Sequence, residues 1–152
     1  MSEVWFYHLT ATPLDVALTR LLPLALSRGW RIELRGRDPA RMAALDRALW
    51  LGPEEGFLAH GLAGGDDDAR QPVLLTVAGQ AAGNAPQCVV TVDAAPLAMD
   101  EVPALARAIT VFDANTPAEL DHARNLWRAV RDAGLPAQYW AEDDGRWVKK
   151  QG

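Results

Sequence analysis

Arg124, Trp127, Arg128 and Arg131 stand at spacings that bring them to one side of a helix. A guanidinium donates two parallel hydrogen bonds to a carboxylate or a phosphate, and a tryptophan beside it supplies an apolar wall. Such a group suits a short acidic peptide that ends in a bulky apolar residue. The same residues could contact the phosphates and base rings of a single strand. A solvated helix flank with Trp127 packed inward fits the same periodicity, so spacing alone leaves all three readings open.

Other candidate chemistry is poorer. After the first apolar run the chain reads Thr10-Ala11-Thr12-Pro13, which is no glycine-rich phosphate turn. Gly61 to Gly65 is glycine-rich but lacks a lysine-serine or lysine-threonine ending. It runs into Asp66, Asp67 and Asp68, whose charge repels phosphate. His8, His60 and His122 are isolated, and the aspartates lack the spaced oxygens of a calcium loop. Ser2 and Ser27 are the only serines, and neither sits in a nucleophile elbow. Asp121-His122 and Asp46 could join acid-base machinery with other groups, but so could many surface residues. The expectation is a protein with no catalytic constellation, cofactor or metal. A second surface is suggested by Trp50, Pro53 and Phe57, where a helix gives way to an irregular segment, because aromatic residues concentrate binding energy at interfaces.

The elements that must hold these residues are readable. Thr116 is placed to cap a helix with Pro117 in its first turn and Glu119 closing a capping box; Gly134 stops it and Pro136 follows. Leu120, Ala123, Trp127 and Val130 describe its inward face. Val4–Leu9 reads as a strand, Leu14–Ser27 as a helix ended by Gly29, and Arg31–Arg35 as a strand. Asp38 and Pro39 open a helix to Trp50 that turns Met42, Leu45 and Leu49 inward. Residues 51–71 read as an irregular loop region. Val73–Val77 and Cys88–Val92 read as strands, Asp100–Ala108 as a short helix, Ile109–Phe112 as a strand, and Gln138–Trp140 as a last strand before a flexible end over 141–152.

Alternation of this kind predicts one α/β domain over 1–152, with three α/β/α layers around a mostly parallel sheet. It is Rossmann-like without a nucleotide-binding loop. With 15 basic and 20 acidic residues the formal charge is -5, which disfavours nonspecific wrapping of a nucleic-acid backbone. No apolar run is long enough for a membrane span, and no basic leader precedes the first strand. Cys88 is the one cysteine; its apolar surroundings predict a buried thiol, and the absence of an internal disulfide fits a reducing cytoplasm.

The order of several short motifs carries a further signal. Phe6-Tyr7-His8-Leu9, Leu45-Asp46 followed by Ala48-Leu49-Trp50, then Phe57, His60 and Gly61, Pro72, and finally Ala123-Arg124 with Trp127 and Gly134 resemble the chi subunit of bacterial DNA polymerase III across most of the chain. The resemblance implies a noncatalytic accessory of the clamp-loader assembly. It implies an α/β/α fold and a link to single-stranded DNA-binding protein through that protein's acidic C-terminal tail, which ends in phenylalanine. Under that resemblance Arg124 and Arg128 would hold tail carboxylates, Trp127 would line the phenylalanine pocket, and Arg131 would extend the basic rim. Trp50, Pro53 and Phe57 would face the psi subunit or another clamp-loader component. Direct binding of single-stranded nucleic acid is the alternative function.

Overall fold

Short runs rich in Val, Ile, Leu and aromatic residues become strands, and the longer periodic segments between them become helices. The computed structural model describes residues 2–51, 58–144 and 146–151. Its strands are β1 (Glu3–Leu9), β2 (Ile32–Gly36), β3 (His60–Leu62), β4 (Val73–Val77), β5 (Cys88–Thr91), β6 (Arg107–Asp113), β7 (Ala137–Asp143) and β8 (Arg146–Gln151). They form one eight-stranded sheet in the order β3-β4-β2-β5-β6-β1-β7-β8. Every neighbouring pair is parallel except β7 with β8. Helices α1 (Leu14–Leu26) and α2 (Pro39–Trp50) cover one face, and α3 (Pro117–Asp132) covers the other, giving three layers.

The strand period of two feeds both layers. Tyr7, Leu9, Ile32, Leu34, Val73, Leu75 and Val90 pack under α1 and α2. Val4, Phe6, Val89, Ala108 and Phe112 pack under α3 with its Ala123, Leu126 and Val130. Cys88 is fully buried, and burial pushes its thiol pKa up to about 12, so at neutral pH it is protonated and packs as an apolar residue.

Several local readings change. Asp100–Ala108 is not a helix: only a 3-10 turn, Val102–Ala104, forms before β6 begins at Arg107. Pro103 supplies no N–H, and the run through Ala108, Ile109 and Val111 finds parallel partners in β1 and β5. Residues 51–71 contain the strand β3 and a 3-10 turn, Asp68–Arg70. The segment 141–152, expected to be a flexible end, holds the close of β7 and all of β8. An Asp-Gly pair at 144–145 is a strong hairpin signal, and Asp144 takes a positive φ of 51°. Trp147 anchors β8 by meeting Tyr7 edge-on at 4.9 Å.

The start of α3 also differs in detail. The Thr116 hydroxyl makes no bond to the helix N–H groups and instead donates to Asp113 Oδ2 at 2.9 Å. Glu119 reaches past the cap to accept from the Asp113 N–H at 3.1 Å. At the other end Gly134, at φ 72°, lets Leu135 N–H return to the Val130 carbonyl at 3.1 Å, a Schellman stop.

Under the loop after β5 lies a charged network. Glu33, 4% exposed, accepts from Thr76 Oγ1 at 2.7 Å and pairs with Arg35 at 3.0 Å. Arg35 also pairs with Glu101 at 2.7 Å. Burial disfavours the guanidinium charge there, but the hydrogen bonds to Glu33 and Glu101 outweigh it and raise the Arg35 pKa. Arg35→Ala would leave Glu33 buried beside no cation, which costs about 3 kcal/mol. A urea midpoint should fall accordingly; a loss below about 1 kcal/mol would show that water screens the pair.

Candidate functional site

Three parallel strands set side by side build an aromatic bed. β1 contributes His8, β6 contributes Phe112 and β7 contributes Tyr139, all directed to the α3 side. His8 Nδ1 and the Tyr139 hydroxyl lie 2.6 Å apart. The His8 ring is 5.3 Å from that of Phe112, and Phe112 meets Tyr139 edge-on at 6.2 Å. Above this bed lies a groove of about 640 Å³, a size ordinary for a ligand site.

α3 forms one bank of the groove with Leu120, Ala123, Arg124, Trp127 and Arg128. Trp127 is half-buried, edge-on to Phe6 at 5.1 Å and to Tyr139 at 5.8 Å. It therefore packs on the core and lines the groove at once. The opposite bank is the end of β8, where Lys150 and Gln151 both reach in. A register shift at Tyr139/Trp140 interrupts the alternation there, which allows two successive residues to face one side.

The rim is cationic. Arg124 and Arg128 are exposed, and among the described residues no carboxylate lies within salt-bridge reach of Arg124, Arg128 or Lys150. Arg128 has a long 3.4 Å contact to Asn125 Oδ1. Burial raises the Tyr139 pKa, with Arg124 pulling the other way, so the phenol stays protonated at neutral pH. Arg131 is not in the groove: it is exposed along the helix, 5.9 Å from the Trp127 ring.

The crevice beside this groove explains why the fold need not hold a nucleotide. The connection after β1 leads to α1 on one face and that after β6 leads to α3 on the other, which is the usual place for a dinucleotide. Here Asp93, Asp113 and Glu119 line it beside Arg41, which is paired with Asp93 at 2.7 Å. The N–H groups of Thr10 and Thr12 point to the Glu142 carboxylate at 2.8 and 3.2 Å. An internal anion takes the donors, and three further carboxylates oppose a phosphate.

Two comparisons bear on this architecture. The family model for the DNA polymerase III chi subunit, HolC, matches residues 1–138. The chain belongs to the DNA polymerase III chi subunit family. It is also 32% identical over 142 residues to the DNA polymerase III subunit chi of Pseudomonas aeruginosa, spanning 91% of this chain and 95% of that one. A chi subunit is an accessory of the polymerase in DNA replication and not its catalytic subunit. The family match covers β1, β6 and α3, whereas Tyr139, Lys150 and Gln151 of the groove lie beyond it.

Trp50, expected on a second surface, lies at the other edge of the sheet. Trp50 is 48% exposed and stacks on His60 of β3 at 4.2 Å. His60 is buried, with Nε2 3.3 Å from Asp46 Oδ1. Pro53 and Phe57 fall outside the described residues. Among the described residues no helix is long and apolar enough to cross a membrane.

Sequence reasoning found the helix bank but not His8, Phe112, Tyr139 or Lys150. Their signal was present only as alternation in strands whose neighbours could not be read. Burial in the bed lowers the His8 pKa, with Glu142 opposing, so this histidine should titrate below the ordinary value of about 6.5. Its contribution to stability is then fully present above that value and is lost as pH falls from it toward the depressed folded pKa. NMR titration of the imidazole checks this; a midpoint at or above the ordinary value would contradict the buried setting.

Proposed function

We propose that this chi subunit grips the acidic C-terminal tail of single-stranded DNA-binding protein in the groove between α3 and β8. It thereby links that protein to the clamp-loader assembly of the polymerase. The observation that carries this reading is a half-buried aromatic bed bounded by Arg124, Arg128 and Lys150, cations without carboxylate partners among the described residues. An apolar terminal side chain lies on Trp127 and Tyr139, with Phe112 buried beneath them. The terminal carboxylate and the acidic residues before it meet the arginines. Arg131 extends the basic rim for residues further from the terminus.

The exposed Trp50 region is the second contact, toward a psi subunit or another clamp-loader component. From β3 to the groove bed on β6, β1 and β7 there are four to six strand spacings, about 19 to 29 Å at the usual interval. Two partners can therefore dock at once without collision, which is what a linking subunit requires.

Calorimetric titration with the tail peptide, beside a peptide lacking the last phenylalanine, tests the main reading. Micromolar binding corresponds to about -8 kcal/mol, and the truncated peptide should bind far more weakly. Arg124→Ala and Arg128→Ala should each weaken binding by about tenfold or more, the loss of one charge-assisted hydrogen bond, while melting like the wild type. Equal binding by all three proteins, or by both peptides, would reject the assignment.

A further inference from the structure

Four of the six tryptophans, Trp5, Trp30, Trp140 and Trp147, lie on the side of the sheet away from the groove, packed partly buried against the α1 and α2 core. The helices of that side pack chiefly over β2, β3, β4 and β6. The β1, β7 and β8 portion is left as an aromatic stripe. Trp5 stacks with Trp140 at 5.7 Å, Tyr7 with Trp140 at 6.3 Å, and Trp147 stands edge-on to Tyr7.

Two guanidiniums stand at the end of this stripe. That of Arg107 lies 3.6 Å from the Trp5 ring centroid and 5.0 Å from that of Trp30, and Arg28 lies 5.4 Å from Trp30. The Arg107 side chain is only 12% exposed, and its Nε is buried with no acceptor. Its nearest carboxylate oxygen, Glu3 Oε2, is 3.8 Å away and already accepts from Trp5 Nε1 at 3.2 Å. One carboxylate is thus shared between an indole and an arginine that has a second cation beside it. Burial, followed by repulsion from Arg28, lowers the Arg107 pKa, the sign of a positive charge short of counter-charge. Hollows of about 490 and 230 Å³ open on either side, and both are lined by Arg28 and Arg107.

We propose that Arg28 and Arg107 form a phosphate-binding site, and that its ligand is single-stranded nucleic acid whose bases lie against the tryptophan stripe. A pair of guanidiniums without full counter-charge favours a phosphodiester, and the fork of Arg107 is fixed in advance by the Trp5 ring. Base rings stack on or against aromatic side chains without regard to sequence, and this stripe runs on from the cationic end. The site is on the opposite face of β1 and β7 from the groove, so a strand and a peptide tail can be held together.

The test uses the full chain and a dye-labelled oligothymidylate at low salt, followed by anisotropy and by tryptophan fluorescence. Binding should quench the indoles. Exposed Arg28 can be removed with the fold intact, so Arg28→Ala should melt like the wild type, weaken binding about tenfold and lower the salt slope by about one ion. Arg107→Lys, which keeps charge but loses the fork, should also weaken it. Arg124→Ala, which acts on the peptide groove, should not move it, and Arg28→Ala should still bind the tail peptide. No binding of the oligonucleotide by wild type would overturn the proposal. So would binding that depends on Arg124 and is indifferent to Arg28. Inorganic phosphate should displace the strand only at concentrations far above it; displacement at equal concentration would mean a site for free phosphate and not for a strand.

Discussion

Strand β1 is hydrogen-bonded in parallel on both edges, to β6 and to β7, and that double pairing is what the rest of the molecule depends on. A strand held on both sides cannot slip by one residue without turning every side chain to the other face. With register fixed, Val4, Phe6 and His8 serve the α3 layer while Trp5, Tyr7 and Leu9 serve the α1 layer. The groove bed and the tryptophan stripe are thus the two faces of the same few strands. β7, which has no helix between itself and β1's edge, continues the pattern through Tyr139 and Trp140.

The proposed tail-binding groove draws its apolar and charged parts from different sources. Strands supply rings locked by mutual packing, so little conformational entropy remains to be lost when a ligand arrives. The helix supplies long cationic side chains that stay hydrated until contact. Trp127 joins the two sets. Its edge-on contact with Phe6 and Tyr139 fixes its ring, and the helical spacing then fixes Arg124 and Arg128 on its flanks. Inward packing and a place on a binding surface were alternatives for a sequence; a half-buried ring at the lip of a groove is compatible with both.

What was legible in the sequence follows from range. The helix ends were written locally, in Asp38-Pro39, Thr116-Pro117 and Gly134, and the three-layer α/β architecture followed from alternation. The Thr116 cap misread came from a competing local partner, because Asp113 captures the hydroxyl that would have turned to the helix. Misreading Asp100–Ala108 had a nonlocal cause: its apolar end becomes strand because β1 and β5 stand ready on either side. β8 was missed although the Asp-Gly pair before it is a local turn signal, because the strand itself is not. Its Arg146-Trp147-Val148-Lys149-Lys150 run has little intrinsic signal and is held by β7 and by Tyr7. Half the groove was invisible on the same grounds, since His8, Phe112 and Tyr139 meet only after three distant strands align.

Charge acts on two length scales in this chain. The formal charge of -5 sets a repulsive field for any acidic ligand at a distance. At physiological ionic strength that field is screened beyond about 8 Å, while a tail docked as proposed would meet Arg124, Arg128 and Lys150 directly at the groove lip. Salt would then have opposed effects on the two stages of that docking: it relieves long-range repulsion during approach and weakens the short-range pairs after contact. For the proposed tail, electrostatic steering, which usually makes association the salt-sensitive step, would be muted, and most of the salt dependence would fall on dissociation. The carboxylates of the neighbouring crevice, Asp93, Asp113 and Glu119, sharpen the boundary. They would discourage an acidic chain from lying past Asn115 and so favour the proposed path between α3 and the end of β8.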